Sequence, residues 1–505
     1  MMERLQRGER RWCAAVAALA LALAVAVALG PLEGVPHVSD EVAYTLQSRL
    51  FAAGVRTGPA ADEASMVLYP FWQAGPRSYA VFPFGWPALL APFEAAGLPW
   101  LANALAGAVL SIVAYLLGRC VGGVGVARTA SVLVAVSPAF WMLTASRMAH
   151  ASVAAALGVA LVLTLRPTRG WTTWLLVGGC VGYVVLARPF DAAVLGGPLL
   201  VFGLWRCRGV ARMALVAAPL AAVALVGWDN LTLTGSATTF PVGPWFEAWA
   251  DRPGCNGLGF GEHLGCHATL GSLGHSPEKA LRFAWQGVRL LDAHLLGVPG
   301  GLAVAAAGWI VAGRRALWMP AVFAVTVAAY STYWSPGHVY GARYYMPVFV
   351  LAAVGAASLL HRVAKRWAVA VPPLVASLAA SPILSDLSSG PSCVDGSVVH
   401  GLAERGITRG LVFVHGEGTR PDAWPALGID AFLCDPMLAS GSGFAAWDPA
   451  GGGVEIRHAL LEAEQRAAFR DAFHPGADTW FVAHDVVADS RRWFRVDEDG
   501  RLIAE

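Results

Sequence analysis

Apolar stretches long enough to cross a lipid bilayer recur along most of the chain and are separated by short polar loops. A spanning helix needs about 20 predominantly apolar residues. Stretches of this kind lie near residues 12–30, 98–118, 127–145, 150–165, 171–187, 191–205, 211–229, 296–313, 317–334, 345–360 and 367–384. Residues 1–384 are therefore predicted to form a polytopic α-helical membrane domain with about 11 transmembrane helices.

Basic residues in the short loops predict the orientation, because they favour the cytoplasmic ends of membrane helices. With these spans, every basic cluster falls on the side of the N-terminus, and an odd number of spans places the tail on the opposite side. The clusters consist of Arg4, Arg7, Arg10, Arg11, Arg119, Arg128, Arg166, Arg169, Arg206, Arg208, Arg212, Arg314, Arg315, Arg362, Lys365 and Arg366. We expect a multi-pass protein of the plasma (inner) membrane with a cytoplasmic N-terminus.

Three larger polar segments are expected on the outer side of the membrane. They are the loops 31–97 and 230–295 and the tail 385–505. Within the tail, the runs GLVFVHG and TWFVAHDVV are typical of buried strands between turns. Residues 455–473 have the spacing of an amphipathic helix. The tail is therefore predicted to be a small extracytoplasmic α/β domain.

The composition agrees with a membrane protein and excludes two other classes. Of 505 residues, 56% are hydrophobic and 14% are charged, whereas soluble domains carry about 25% charged residues. Soluble cores stop growing near about 250–300 residues, so an apolar chain of this length is not one soluble domain. The net charge of +2 provides no basic surface for binding nucleic acid.

Four of the eight cysteines lie in segments that are expected outside the membrane, where a disulfide persists. Cys255 and Cys266 share the second outer loop, and Cys393 and Cys434 share the tail. Two disulfides are therefore predicted, one in each segment. Free thiols are the equally weighted alternative, because a sequence does not determine the distance between two cysteines.

The first outer loop opens with an acidic pair, Asp40 and Glu41, in the stretch SDEVAYTLQSRLFAAG. Ser39 is a suitable N-cap, and negative charge is favoured in the first turn of a helix. One interpretation is therefore a capped amphipathic helix that lies on the membrane surface. Its apolar stripe would consist of Val42, Leu46, Leu50 and Phe51.

Three arginines favour a second interpretation, in which the acidic pair lies beside a phosphate-binding site. Arg147, Arg188 and Arg343 border apolar runs on the outer side, where an intramembrane charge costs about 2.5–3.5 kcal/mol on insertion scales. Topology does not explain these three, so each needs a buried partner or an anionic ligand. A guanidinium binds phosphate through two parallel hydrogen bonds. The alternative is that Arg188 forms a structural ion pair with Asp191 or Asp40.

The second outer loop contains residue types that bind metals. Glu262, His263 and His267 have the spacing of ligands on one helix face. The stretch is rich in glycine, which disfavours a regular helix. An irregular loop with surface histidines therefore carries more weight, and no metal site is predicted. Nearby, Ser276 is expected to cap a helix that begins at Pro277.

The order of these features resembles the C-type (GT-C) membrane glycosyltransferase superfamily. The likeness is to bacterial relatives of the protein O-mannosyltransferases and of the lipid A aminoarabinose transferase, and it covers roughly residues 10–385. Its most specific part is HVSDEVAYTLQSRLFAAG followed by FPFGWPALLAPF. LARPFD and YGARYYMP support it.

The resemblance implies an inverting transfer of one hexose or pentose from a polyprenyl-phosphate donor on the outer face. The acceptor would be a protein, a lipid or a glycan. Some members of the superfamily use a divalent metal and others do not, so the cofactor stays open. The residues implied in catalysis are Asp40, as the base, and Glu41, as its supporting acid. Those implied in binding substrate or phosphate are Arg188, Arg343, Arg147, Tyr44 and Gln47.

Two other classes fit the composition: a polytopic transporter or lipid flippase, and a non-catalytic membrane scaffold. Transporters usually contain paired halves with broken helices at matching positions, and the sequence shows no such symmetry. The outer charges also cluster near one face of the membrane. An acidic pair has no evident use in a scaffold, so glycosyl transfer is the favoured function.

Overall fold

The computed structural model is helical up to residue 388 and continues as a mixed α/β region. It describes residues 5–58, 71–73, 76–166, 170–266, 273–338, 340–388, 397–417, 420–424, 429–434, 454–458, 463–473, 476–485 and 490–504.

Helices occur at the positions of the predicted apolar stretches. In chain order the helices are α1 (Arg7–Leu29), α2 (Ser39–Ala52), α3 (Gly85–Ala95), α4 (Pro99–Val136), α5 (Pro138–Ala145), α6 (His150–Thr164), α7 (Trp171–Ala187), α8 (Pro189–Asp191), a π-helix (Ala192–Gly196), α9 (Gly197–Arg206), α10 (Val210–Thr234), α11 (Val242–Ala250), α12 (Pro277–Leu296), α13 (Gly301–Ala312), α14 (Trp318–Tyr330), α15 (Met346–Ala364) and α16 (Val371–Ser388). Short 3₁₀ turns lie at Gly313–Arg315, Arg343–Tyr345 and Lys365–Trp367.

The lengths of these helices support a polytopic membrane protein. Within the described ranges, four helices are long and apolar enough to cross a membrane, or up to six if each of two bent helix pairs is one span. Other predicted stretches correspond to shorter apolar helices. The number of about eleven spans therefore stays a prediction.

α4 consists of two arms, because the chain reverses at Gly123. This residue has a φ of 81°, which glycine adopts without a steric penalty. A methyl group on Gly118 would lie 2.9 Å from the Cα of Ala127, although nine residues of straight helix span about 14 Å. The reversal explains why the sequence shows two apolar stretches here.

The C-terminal region contains a five-stranded sheet in the order β6-β3-β7-β8-β9. β3 is parallel to β6 and to β7. β8 is antiparallel to its two neighbours, β7 and β9. The elements are α17 (Ser397–Glu404), β3 (Gly410–Glu417), β4 (Arg420–Trp424), β5 (Ile429–Cys434), β6 (Val454–His458), α18 (Ala463–Phe473), β7 (Thr479–Asp485), β8 (Ser490–Val496) and β9 (Leu502–Ala504). A separate small hairpin in the first outer loop pairs β1 (Trp72–Gln73) with β2 (Tyr79–Ala80).

The amphipathic helix that the sequence predicts in the tail is only partly present. The predicted helix 455–473 is a strand in its first part, β6, and a helix only in α18. The strand has apolar residues at alternate positions, Val454 and Ile456. Backbone pairing with β3 and the alternation of apolar residues in the sequence favour the extended form, because alternation with a period of two is typical of a strand.

The apolar face of α2 packs against the C-terminal sheet. Val42, Leu46 and Leu50 are fully buried in one cluster with Val412 and Val482. The interpretation of α2 as a helix whose apolar stripe faces lipid is therefore wrong. Burial of each such side chain contributes about 1.5–3 kcal/mol, so this contact holds α2 firmly in place.

A disulfide joins Cys255 to Cys266, with their Cα atoms 5.1 Å apart. Both sulfurs are buried in an aromatic cluster with Trp245 and Trp334. Cys393 lies outside the described residues, so the second predicted disulfide, to Cys434, stays a prediction.

Candidate active site

Glu41 fixes the start of α2 to two distant loops. One carboxylate oxygen accepts from the backbone N–H of His37 at 2.9 Å and of Val38 at 3.2 Å, and from the Tyr340 hydroxyl at 2.9 Å. The other accepts from the backbone N–H of Arg147 at 2.5 Å. Only 1% of Glu41 is exposed. Burial and the charge of Glu41 raise the pKa of Tyr340, which keeps its phenol protonated as the donor.

These contacts change two expectations from the sequence. Ser39 is the first helical residue of α2, not its N-cap; Val38 holds the N-cap position, and Glu41 accepts its N–H. Glu41 is surrounded by protein donors and does not line the cavity described below. Its contacts position the start of α2, and the role of supporting acid that the resemblance implied stays a prediction.

Asp40 faces in a different direction from Glu41, because successive helical residues are rotated by about 100°. Its carboxylate lies 3.5 Å from the guanidinium of Arg343, and 15% of its side chain is exposed. It lines a cavity of about 500 Å³. Asp40 is thus an accessible carboxylate with one ion-pair partner.

The cavity is built from distant parts of the chain and has both polar and aromatic walls. The polar lining consists of Asp40, Tyr44, His150, Arg188, Asn256, Tyr330, Tyr333, Ser335, Arg343 and Tyr344. Aromatic rings on the other walls belong to Phe71, Phe82, Phe190, Phe240 and Phe246. Such a mixture suits a ligand with a charged group attached to less polar parts.

Arg188 is held at the end of α7 by two side chains. Its guanidinium forms an ion pair with Asp191 and donates to the Tyr330 hydroxyl at 2.9 Å. That hydroxyl in turn donates to Asp191 at 2.7 Å. The alternative drawn from the sequence, a structural ion pair, is therefore present, but Arg188 also lines the cavity.

Tyr344 brings the two arginines together. The guanidinium carbons of Arg188 and Arg343 lie 5.6 and 5.5 Å from the centre of its ring, within the range of cation–π contacts. The ring also stacks on Tyr330, with centroids 4.8 Å apart. The cavity therefore presents two positive charges in fixed positions beside Asp40.

Two predicted binding residues lie elsewhere. The guanidinium of Arg147 contacts Glu94 at 3.2 Å and the Thr45 hydroxyl at 3.0 Å. Gln47 is fully buried and bonds to Arg56 and to the backbone N–H of Ala80. Neither lines the cavity, so a role for them in phosphate or sugar binding stays a prediction.

Tyr44, by contrast, lines the cavity one helical turn after Asp40. Its ring packs 4.9 Å from that of Phe82. Burial, with a further contribution from the charge of Asp40, raises the pKa of Tyr44. The phenol therefore stays protonated at neutral pH and can donate a hydrogen bond to a ligand.

The two metal candidates that the structure describes do not form a site with other described residues. Glu262 and His263 are exposed, and His267 lies outside the described residues. Across the part of the chain that is described, no group of three or more His, Cys, Asp or Glu side chains could hold a metal ion.

An apolar pocket of about 510 Å³ lies near the cavity and is lined by α4, α6, α9, α14 and α15. A shallow pocket along α9 shares Ala193 with the cavity, and Pro198 and Phe202 with the apolar pocket. The π-helix is part of this path, and π segments are frequent at functional sites. The shallow pocket thus shares lining residues with both of its neighbours, and the shallow and apolar pockets are together termed the apolar groove.

No protein-family model matches the sequence, and no curated protein matches it. Solved structures do match. The ArnT structure from Cupriavidus metallidurans bound to undecaprenyl phosphate is 16% identical, with a TM-score of 0.48; the match covers 87% of this chain and 77% of ArnT. The chain is similar in structure to C-type glycosyltransferases.

Two further solved structures also match. The oligosaccharyltransferase AglB from Archaeoglobus fulgidus, in complex with an inhibitory peptide and a dolichol phosphate, is 15% identical with a TM-score of 0.39, covering 76% of this chain and 56% of AglB. The mycobacterial arabinofuranosyltransferase AftD is 15% identical with a TM-score of 0.39, and the match covers 95% of this chain and 35% of AftD.

Replacement of Glu41 by Gln is expected to destabilise the protein. The amide offers one acceptor oxygen where the carboxylate offers two, so at least one buried donor is left unsatisfied, at a cost of about 1–3 kcal/mol. The midpoint of thermal unfolding in detergent should fall. The matched control is Glu33→Gln, since Glu33 is exposed and contacts only the exposed His400 in the described structure. An unchanged midpoint for Glu41→Gln would contradict the positioning role.

Proposed function

We propose that the chain is a glycosyltransferase that moves one sugar from a polyprenyl-phosphate donor to an acceptor hydroxyl, with inversion at the anomeric carbon. The observation that supports it best is the shared cavity of Asp40, Arg188 and Arg343. An accessible carboxylate beside two guanidinium groups provides a base and an anion site at the same place.

The proposed reaction is a single displacement. Asp40 accepts the proton of the acceptor hydroxyl while that oxygen attacks the anomeric carbon. The new carbon–oxygen bond forms as the bond from the anomeric carbon to the phosphate oxygen breaks. The lipid phosphate leaves with the bonding electron pair, and Arg188 and Arg343 neutralise its charge. Attack opposite the leaving group inverts the anomeric configuration.

The neighbouring apolar groove supports a lipid-linked donor. A polyprenyl chain is entirely apolar and gains free energy when it leaves water for such a surface. The groove begins at Ala193, two residues after the Asp191 that pairs with Arg188. A lipid whose phosphate lies between the arginines would thus have its tail directed toward the groove.

The proposed active site lies on the extracytoplasmic side of the plasma (inner) membrane. The basic residues before α1 favour a cytoplasmic N-terminus, and Asp40 follows the end of that helix. On this assignment, residues 1–384 carry out the transfer. Residues 385–505 form an outer domain whose buried apolar residues share one hydrophobic cluster with α2.

The test is a donor panel with the purified wild-type chain in detergent. Radiolabelled polyprenyl-phosphate hexoses and pentoses are supplied one at a time with membrane extracts as acceptor, and release of polyprenyl phosphate is followed. We expect turnover of one donor class above heat-inactivated protein. Release from none of the donors would overturn the proposal and favour a transporter or a scaffold.

A further inference from the structure

His150 is a buried polar residue in the cavity for which the proposed mechanism gives no role. It is the first residue of α6, and 2% of it is exposed. Within the described part of the chain, neither of its ring nitrogens has a hydrogen-bond partner. Nearly all buried polar side-chain atoms in proteins have one, so this imidazole is an exception that a ligand would explain.

The surroundings of His150 indicate the kind of ligand. Its ring stacks on Tyr344, with centroids 5.9 Å apart. Tyr344 is the ring against which Arg188 and Arg343 also lie. The imidazole and both guanidinium groups are therefore gathered around one aromatic ring.

A second buried donor in the same place also has no partner. The Nε of Arg343 makes no hydrogen bond among the described residues, although its Nη1 contacts Asp40 and Met148. Two donors with no protein acceptor point to an acceptor supplied from outside. A phosphate group offers several oxygens and suits both an arginine and an imidazole N–H.

We propose that His150 donates a hydrogen bond to the phosphate of the lipid that binds between Arg188 and Arg343. This inference rests on the proposed function. A neutral imidazole carries one N–H donor, so it adds a directed contact without adding a third positive charge. The interaction forms with the donor lipid and with the polyprenyl phosphate that is released.

Binding of the product lipid tests this contact without requiring turnover. The full chain in detergent is titrated with undecaprenyl phosphate and, separately, with undecaprenol, which lacks the phosphate. His150→Phe keeps an aromatic ring against Tyr344 and removes both nitrogens. We expect it to weaken binding of the phosphate lipid about 10-fold or more and to leave binding of undecaprenol unchanged.

Two further variants separate hydrogen bonding from packing. His150→Gln restores an N–H donor and is expected to recover most of the affinity for undecaprenyl phosphate. Tyr183→Phe is the matched control. It removes a hydrogen bond to Ser152, which lies on the same helix as His150, but Tyr183 lies outside the cavity. It should bind both lipids as the wild type does.

The outcomes distinguish the possible failures. If His150→Phe weakens both lipids equally, or binds the phosphate lipid as the wild type does, the inference is wrong and the proposed function still stands. If inorganic phosphate displaces the lipid at equal concentration, the site recognises free phosphate and the lipid assignment is overturned. If the wild type does not prefer undecaprenyl phosphate to undecaprenol, the proposed function fails as well.

Discussion

Replacement of Asp40 by Asn is expected to lower kcat by about 100-fold or more, because general-base catalysis contributes about 10²–10⁴-fold. The amide has the shape of the carboxylate but does not accept a proton from the acceptor hydroxyl. Asp40 is accessible and has one ion-pair partner, Arg343, so the fold should persist. The measurement is the initial rate of polyprenyl phosphate release at saturating donor, together with the midpoint of thermal unfolding.

Asp251→Asn is the matched control for this variant. Asp251 is exposed after α11 and has a left-handed backbone conformation, with a φ of 49°, which Asn accommodates well. Its rate should equal that of the wild type. If Asp40→Asn retains the wild-type rate with an unchanged unfolding midpoint, Asp40 is not the base and the proposed mechanism is wrong.

Replacement of Arg343 by Gln is expected to lower kcat/KM by about 100-fold. Removal of one preorganised group that stabilises developing negative charge typically has an effect of about this size. Arg343 is buried and lies beside Asp40, and its Nε has no hydrogen-bond partner among the described residues. Its loss removes one of two charges that would neutralise the leaving phosphate. Affinity for undecaprenyl phosphate should fall in the same variant.

Two variants make this result specific. Arg343→Lys retains the charge but not the planar fork that contacts two phosphate oxygens, so an intermediate rate is expected. Arg56→Gln removes an arginine that pairs with Asp229 at 2.7 Å outside the cavity, and its kcat/KM should stay near that of the wild type. Equal losses in Arg56→Gln and Arg343→Gln would show that the effect comes from general loss of charge or stability.

The position of α2 links the tail to the proposed chemistry. Its apolar face packs against the C-terminal sheet, and its first turn carries Asp40. Between them, Glu41 bonds to loops that precede α6 and α15. Asp40, the proposed base, is thus held in place by the hydrophobic packing of α2 and by the hydrogen bonds of Glu41, which is the preorganisation that a general base requires.

Several features were predictable from local sequence. The apolar stretches mark the membrane helices, because a helix in lipid has to be apolar over its whole length. Arg188 and Arg343 stand out for the same reason, since each interrupts or borders an apolar run. The N-cap at Ser276 was also correctly predicted; its hydroxyl accepts the N–H of Lys279 at 3.2 Å. Each of these rests on residues close together in the chain.

The missed features depend on distant contacts. Asp40 and Glu41 look equivalent in the sequence, yet one lines the cavity and the other bonds to residues 106 and 299 positions away. Arg147 resembles Arg188 as a charge near an apolar run, but Glu94 neutralises it outside the cavity. In the stretch ASRMAH, only the unexplained polarity of His150 could have marked it as a site residue.

The sequence by itself thus determined which segments are helical and apolar, and which charged residues border them. Hydrophobicity and helix length depend on neighbouring residues alone. Only the tertiary structure decided which of those charges meet: Asp40, Arg188, Arg343 and His150 share a cavity, whereas Glu41, Arg147 and Gln47 are occupied by the protein itself. The direction and partners of a side chain follow from how helices pack, and that packing is set by contacts between distant parts of the chain.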